Sequence, residues 1–302
     1  MDPLVFGLVA GAAILHVAWN VLLKTAGDPL RAAAVGMLAA SVLIVPGAAI
    51  GWVVAGRPPI PPEAVVLGAV SGVLEAAYFS FLAAAYRRGD LSVVYPIARG
   101  TAPLLAVAVG IGVLGERLGT IGIAGVAALL VGLLALQRPW RFLRRAVPGR
   151  AGLDPAVGFA LAAGVMIASY SAVDRVGARL VEPWLYAGLI WVFGTGFLWA
   201  CIGISGRVRR VRPDAAAGET AVDVRRAAAG GVMTLAAYLL ILVAFNVAPL
   251  TAVAPLRESA IVLASGWGTL RLGEAAGGRE AAVRIAASAV VVLGAVLLAL
   301  DG

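Results

Sequence analysis

The sequence predicts an all-α integral membrane protein with ten transmembrane helices arranged as two inverted five-helix repeats. Three observations lead there: an apolar composition, ten apolar runs of membrane-spanning length, and one set of residues that recurs at the same place in each half. Of the 302 residues, 62% are hydrophobic and 13% charged, and the mean hydropathy is +0.98. A soluble domain carries roughly 25% charged residues. About half of that surface charge is missing here, so water is not the main solvent of this chain.

A bilayer core needs roughly 20 mostly apolar residues per helix. Runs of that kind cover 4–23, 33–55, 64–85, 92–114, 119–136, 155–174, 184–205, 227–247, 251–270 and 281–300. Helix-breaking stretches separate them. Gly27-Asp28-Pro29 follows the first run, Arg57-Pro58-Pro59-Ile60-Pro61-Pro62 the second and Arg87-Arg88-Gly89-Asp90 the third, and Asn246-Val247-Ala248-Pro249 joins the eighth to the ninth. Met1-Asp2-Pro3 lacks the positive charge of a secretory leader, so the first run reads as a span. Gly7/Gly11, Gly47/Gly51 and Gly68/Gly72 are GxxxG pairs, the spacing that lets helices approach closely in lipid.

The net charge is +8, with a pI near 10.5. Nucleic acid is excluded as a partner because the basic residues lie in the gaps between apolar runs, where they set orientation. About 18 of the 24 lysines and arginines fall after runs one, three, five, seven and nine. The positive-inside rule then places both termini outside the cytoplasm. The arginine-rich gaps near 137–153 and 206–226 read as orientation signal and contact with anionic headgroups. The lone Cys201 excludes an intramolecular disulfide and a multi-Cys metal site, and reads as a buried small hydrophobe. No HExxH string, aspartate-rich metal motif or second histidine is present, so neither a metal, a cofactor nor an enzymatic role is expected. The GxGxxG string at Gly110–Gly115 lies inside an apolar run with no strand before it, which argues against a dinucleotide site.

Internal repetition organises the chain. Leu91-Ser92-Val93-Val94-Tyr95-Pro96 opens run four, and Leu250-Thr251-Ala252-Val253-Ala254-Pro255 opens run nine. Arg99 follows the first proline and Arg257 the second, and both runs close on Gly-Glu, at Gly115-Glu116 and Gly273-Glu274. Trp19-Asn20 with Lys24 parallels Tyr170-Ser171 with Arg175. The halves are 1–150 and 151–302. With five spans per unit, the second copy starts from the opposite side of the bilayer. The result is an inverted repeat, an arrangement common in transporters.

An ionised side chain at mid-bilayer costs at least about 2.5–3.5 kcal/mol on insertion scales, so such residues mark functional candidates. Glu75 stands near the middle of run three with Tyr78 one turn on, and a carboxyl in so apolar a place suits a group that takes up and releases a proton. Arg99 shares a face with Tyr95 and needs a carboxylate or an anionic ligand, with Glu75 as one candidate partner. Arg257 and Glu258 occupy the equivalent place in run nine. As neighbours they point about 100° apart and are not expected to pair. His16, Trp19 and Asn20 share one face of run one, and Tyr170 is a counterpart in run six. Asp174, near the end of that span, is expected in solvent, and Tyr238 adds a polar group in run eight. The candidate substrate-binding set is therefore His16, Trp19, Asn20, Glu75, Tyr78, Tyr95, Arg99, Tyr170, Tyr238, Arg257 and Glu258. The two arginines favour an anionic or zwitterionic solute.

The chain resembles the EamA family of the drug/metabolite transporter superfamily. The resemblance rests on His16-Val17-Ala18-Trp19-Asn20, on Arg88 through Gly100 with its Tyr95-Pro96-Ile97-Ala98-Arg99-Gly100, on Gly115-Glu116-Arg117-Leu118, and on Val253 through Glu258 with Gly273-Glu274. It implies a ten-helix bundle in the cytoplasmic membrane, with a cavity between the halves and alternating access that moves a small organic metabolite. The drive would be a proton gradient or exchange. Its partners would be that solute and the bilayer, in a monomer or a homodimer. A membrane-embedded enzyme, a passive channel or a structural subunit are the alternatives.

Overall fold

A computed structural model describes residues 2–88, 91–137, 154–211, 221–258 and 278–301. Among these residues the chain forms ten helices and no strand: α1 (Pro3–Thr25), α2 (Pro29–Val54), α3 (Pro62–Tyr86), α4 (Leu91–Gly112), α5 (Thr120–Gln137), α6 (Pro155–Gly177), α7 (Pro183–Val211), α8 (Val224–Val247), α9 (Leu250–Arg257) and α10 (Gly278–Leu300). Five described segments are long and apolar enough to cross a bilayer: Pro29–Val54, Pro62–Tyr86, Pro155–Gly177, Pro183–Ile204 and Val224–Val247. Shorter apolar stretches lie in α1, α4, α5 and α10. Each predicted run coincides with a helix. The ninth is described through Glu258; the gap near 137–153 lies almost wholly, the stretch 212–220 of the second gap and Gly273-Glu274 entirely, outside the described residues.

Local chemistry sets the helix starts. Asp28, Asp154 and Asp223 cap α2, α6 and α8, accepting from the backbone N–H groups of Arg31 (3.0 Å), Ala156 (2.9 Å), and Arg225 and Arg226 (both 3.1 Å). Each of these bonds satisfies a donor that the first helical turn leaves without a partner. Proline opens α2, α3 and α6, where its missing N–H removes no helical bond. These features gather one end of the bundle. Arg87 at the end of α3 pairs with Asp28 at 2.7 Å, the Asp223 N–H donates to the Ala26 carbonyl at 2.9 Å, and the Arg88 guanidinium lies 4.7 Å from the Phe159 ring centre. Burial alone would raise the Asp28 pKa. The Arg31 N–H and the Arg87 guanidinium outweigh it and hold the carboxyl below its usual range.

The other end is tied by Glu116. Gly115 takes the left-handed conformation (φ +66°) and turns the chain so that the Glu116 N–H donates to the Gly110 carbonyl at 2.9 Å. The Glu116 carboxylate then accepts from the Leu250 and Thr251 N–H groups, at 2.7 and 2.9 Å, capping α9 from a distant part of the chain. Arg175 reaches the same carboxylate at 3.2 Å and donates to the Phe245 carbonyl at 2.7 Å.

Between these ends, α3 packs along α6 and α7, α1 along α8, α2 along α7 and α8, α4 along α6, α5 along α10, and α9 leans on α4. Backbones meet closely at Gly36 with Gly231, Gly72 with Gly194, and Gly125 with Gly294. A Cβ added at Gly72 would lie 2.6 Å from the Gly194 nitrogen, so the α3–α7 contact requires glycine. In lipid, such packing takes over the role that water exclusion plays elsewhere. Gly68 also meets α7, at Leu189. Gly7 and Gly47, by contrast, face open space. Their GxxxG spacing records small residues and does not say which helix face meets a neighbour. Cys201 is half-buried in α7 rather than buried. Ile14, Val42, Ile50, Val131 and Ile285 stand exposed on the outside while charged groups are enclosed, the reverse of a water-soluble protein.

Candidate functional site

The enclosed charges form two groups at the centre. In the first, the Arg99 Nη1 on α4 donates to the Glu258 Oε1 at 2.8 Å. The Arg257 Nε approaches the same oxygen at 3.4 Å, and its Nη1 lies 3.4 Å from the Ser171 hydroxyl on α6. All three charged side chains are buried. The partner of Arg99 is thus Glu258 rather than Glu75. The expectation that Arg257 and Glu258 do not pair also fails. The 100° rule fixes where adjacent Cβ atoms point, but α9 ends at Arg257, Glu258 is already its cap, and two long side chains can bend to one spot. The Arg99 guanidinium, arriving from the first half, supplies the reason to do so.

The second group centres on Asp174, which was expected in solvent but is 1% exposed. It accepts from the Ser71 hydroxyl at 2.5 Å and from the Tyr238 hydroxyl. The Tyr186 side chain is buried beside it. Nearness to the end of α6 misled because the link to α7 is short, so Tyr186 folds back over Asp174. Its signal in the sequence was the helical spacing that puts it on the face of Tyr170, one turn on. Glu75, on α3 one turn beyond Ser71, lies within reach of the Tyr238 hydroxyl and of the charges on Asp174 and Arg257.

Aromatic rings join these groups. Tyr78 and Tyr170 meet edge-on at 6.2 Å, Tyr170 and Tyr238 are 6.2 Å apart, and Trp191 of α7 stands edge-on to Tyr238 at 5.0 Å. His16 approaches the Ala12 carbonyl in its own helix at 3.2 Å, stacks edge-on against Trp19 at 5.7 Å, and feels the charges of Arg99 and Arg257. The backbone positions of Asn20 and Tyr95 are described, but their side chains lie outside the described residues.

A narrow cleft runs from the starts of α2 and α8, at the Asp28 end, to the middle of α3. It is lined by Trp19, Met37, Glu75, Phe79, Trp191 and Thr234 with glycines and alanines between, and the cavity measures about 20 Å³, room for about one water molecule. Of the predicted residues, Glu75 and Trp19 line it, while Arg99 and Arg257 do not. Met37, Phe79 and Trp191 went unnoticed in the sequence because single apolar residues in apolar runs carry no signal. Among the described residues no group of three or more side chains could hold a metal ion. The chemistry available is recognition: a carboxyl, an indole N–H and aromatic surface beside a fixed charge cluster.

Such an arrangement, apolar outside and charged at the centre of a many-helix bundle, defines a multi-pass membrane protein with an internal polar site. Residues 3–137 are similar to the EamA-like transporter family, whose members are membrane transporters. The search of solved structures finds 29 matching chains. One, a crystal structure of a protein, aligns over 99% of this chain and 98% of its own, with a TM-score of 0.65 and 20% identity, a likeness of fold alone. No curated protein matches the sequence.

Proposed function

We propose that the protein is a secondary transporter that carries a small organic metabolite across the cytoplasmic membrane by alternating access between two inverted five-helix repeats, coupled to protons through Glu75. The observation that carries this reading is the position of the charge cluster. Arg99 from residues 1–150 meets Glu258 from residues 151–302, which Arg257 also reaches, and Ser71 from the first stretch meets Asp174 from the second, with Glu75 lining the cleft beside them.

The packing supports the repeat. Replacing each helix by the one five positions away turns the α3–α6 contact into α8–α1 and α3–α7 into α8–α2, and leaves α2–α7, α4–α9 and α5–α10 as self-pairs. The glycine contacts obey the same exchange: Gly36–Gly231 and Gly72–Gly194 trade places, and Gly125–Gly294 lies on the axis. Two halves related in this way can swap conformations, which moves the access point from one side to the other. By the distribution of lysine and arginine, the cleft reaches the cytoplasmic end and both termini lie opposite. A C-terminal reporter active only in the cytoplasm should therefore stay silent.

Counterflow tests the mechanism. Proteoliposomes loaded with an unlabelled solute that stabilises the purified protein should transiently accumulate its labelled form. Simple equilibration with every such solute would mean a channel. Glu75→Gln should remove the pH dependence of uptake, and an unchanged profile would take Glu75 out of the coupling.

A further inference from the structure

Asp174 is held differently from the other enclosed acids that have charged partners. Glu258 is paired with Arg99 and Arg257, and Glu116 with Arg175. Asp174 has no ion pair among the described residues, and Arg175, next in the chain, is turned away to Glu116 and the Phe245 carbonyl. Hydroxyls take both of its oxygens instead. Ser71 donates to Oδ1 at 2.5 Å, and Tyr238 donates to Oδ2. A phenol has one proton to donate and lone pairs to accept with. Tyr238 donates its proton to Asp174, while its oxygen lies within reach of the Glu75 carboxyl. A carboxylate only accepts, so Glu75 can bond this phenol only as an acid, with its own O–H donating to the phenol oxygen. The same three groups are satisfied equally well with every donor reversed, Asp174 donating to Tyr238 and Tyr238 to an ionised Glu75.

We propose that Glu75, Tyr238 and Asp174 form a proton relay across α3, α8 and α6, with Asp174 a second proton-binding site behind the cleft. The Glu75 O–H bond breaks as its proton bonds to the phenol oxygen, and the phenol O–H bond breaks as that proton bonds to Asp174 Oδ2. One proton and one negative charge change places, and Tyr238 is neutral before and after. Ser71 donates to Oδ1 throughout. The inference rests on the reading of Glu75 as the coupling group and extends it to a carboxyl in the other half of the chain. Glu75 and Ser71 come from residues 1–150 and Asp174 from residues 151–302, so each transfer moves charge across the contact between α3 and α6. The groups that face Asp174 are Ser71 and Glu75 on α3, Tyr186 on α7, Tyr238 on α8 and Arg257 on α9. On α4, Arg99 is engaged by Glu258. Glu75 faces Asp174, Tyr170, Tyr186, Tyr238 and Arg257, with Trp19 of α1 beside it in the cleft. Lys24 is the charged residue of α1, and its side chain lies outside the described residues. Asp174 is 1% exposed, so a proton reaches it through its hydrogen-bonded neighbours rather than from bulk water.

Infrared difference spectroscopy of the purified protein, titrated with pH, follows the C=O bands of buried protonated carboxyls, which shift in heavy water. The unmodified protein should take up two protons in coupled steps more than about one pH unit apart. Asp174→Asn and Glu75→Gln should each collapse the two steps to one. Ser71→Ala removes a donor from the Asp174 carboxylate and should move the Asp174 step to higher pH by about one unit. After a pH jump, Tyr238→Phe should slow proton uptake at Asp174 about a hundredfold, with the step itself still present. An unchanged titration in Asp174→Asn, an unmoved step in Ser71→Ala, or an unchanged uptake rate in Tyr238→Phe would each overturn the proposal. If Asp174→Asn does not fold, the Ser71→Ala shift and the Tyr238→Phe rate still decide. A relay that titrates in a protein without counterflow would keep this site and remove the transporter reading. Counterflow that loses its pH dependence in Glu75→Gln, with no proton reaching Asp174, would do the reverse.

Discussion

The charge cluster and the cleft lie side by side in the same bundle, and both hold polar groups that hydrocarbon would reject, yet their groups are satisfied differently. In the cluster, Arg99, Arg257 and Glu258 meet one another, with Ser171 close by. In the cleft, the Trp19 N–H has no hydrogen bond among the described residues and Glu75 borders the space. Buried charges that answer each other fix how two halves of a chain meet. A polar atom left open beside a cavity instead keeps its interaction for a ligand. Exposure to the membrane interior does not separate the two cases, because both are buried. The difference lies in whether the partner is supplied by the chain.

The sharpest way to break this contrast is to remove the shared acceptor of the cluster. Glu258→Gln leaves two guanidiniums close together without their carboxylate, and losing one partner of a buried pair costs about 3–5 kcal/mol. The unfolding midpoint in detergent should drop steeply. Glu75→Gln, which breaks no ion pair, should shift it by about 1 kcal/mol or less. Equal losses in the two variants would mean that both regions are structural.

A smaller effect is expected at the Glu116 end. Glu116→Ala removes an acceptor for two N–H groups of α9 and an ion pair with Arg175. Lost caps of this kind cost about 0.5–2 kcal/mol. Hydrogen exchange should quicken first at the Leu250 and Thr251 amides, ahead of the helices that line the cleft. Uniform quickening across the bundle would show that this clamp governs the whole fold.

The smallest effect belongs to Asp28. Asparagine caps a helix as well as aspartate, so Asp28→Asn should lose little beyond the pair with Arg87, whereas Asp28→Ala should lose about 1 kcal/mol more. The pH dependence has a definite sign. Because the folded carboxyl is held below its usual range, the unfolded chain takes up the proton more readily. The contribution of Asp28 is present above the ordinary carboxyl pKa and is lost as pH falls through the lowered folded value. The stabilities of the unmodified protein and Asp28→Asn should therefore converge in acid, and a gap that widens in acid would contradict this account.

Most of the helix plan was legible in the sequence because hydrocarbon imposes it: apolar runs of spanning length, separated by helix-breaking stretches such as Gly27-Asp28-Pro29. Glu75 and Trp19, which line the cleft, stood out in the sequence too, since an ionisable or amphipathic side chain is conspicuous in such a run. The partner of Arg99, the burial of Asp174 and the pairing within Arg257-Glu258 were not. Each depends on an atom more than sixty residues away in the chain, or on a helix ending at one residue rather than the next.

The sequence by itself determined the solvent, the spans and which residues are out of place in lipid, because those follow from transfer of single side chains between water and hydrocarbon. Only the tertiary structure decided which of those residues satisfy one another and which are left facing space. Pairing is a matter of distance across helices, and a list of spans contains no such distances. The arginines, conspicuous in the sequence, turned out to be engaged. The cleft took its character from a carboxyl and an indole N–H.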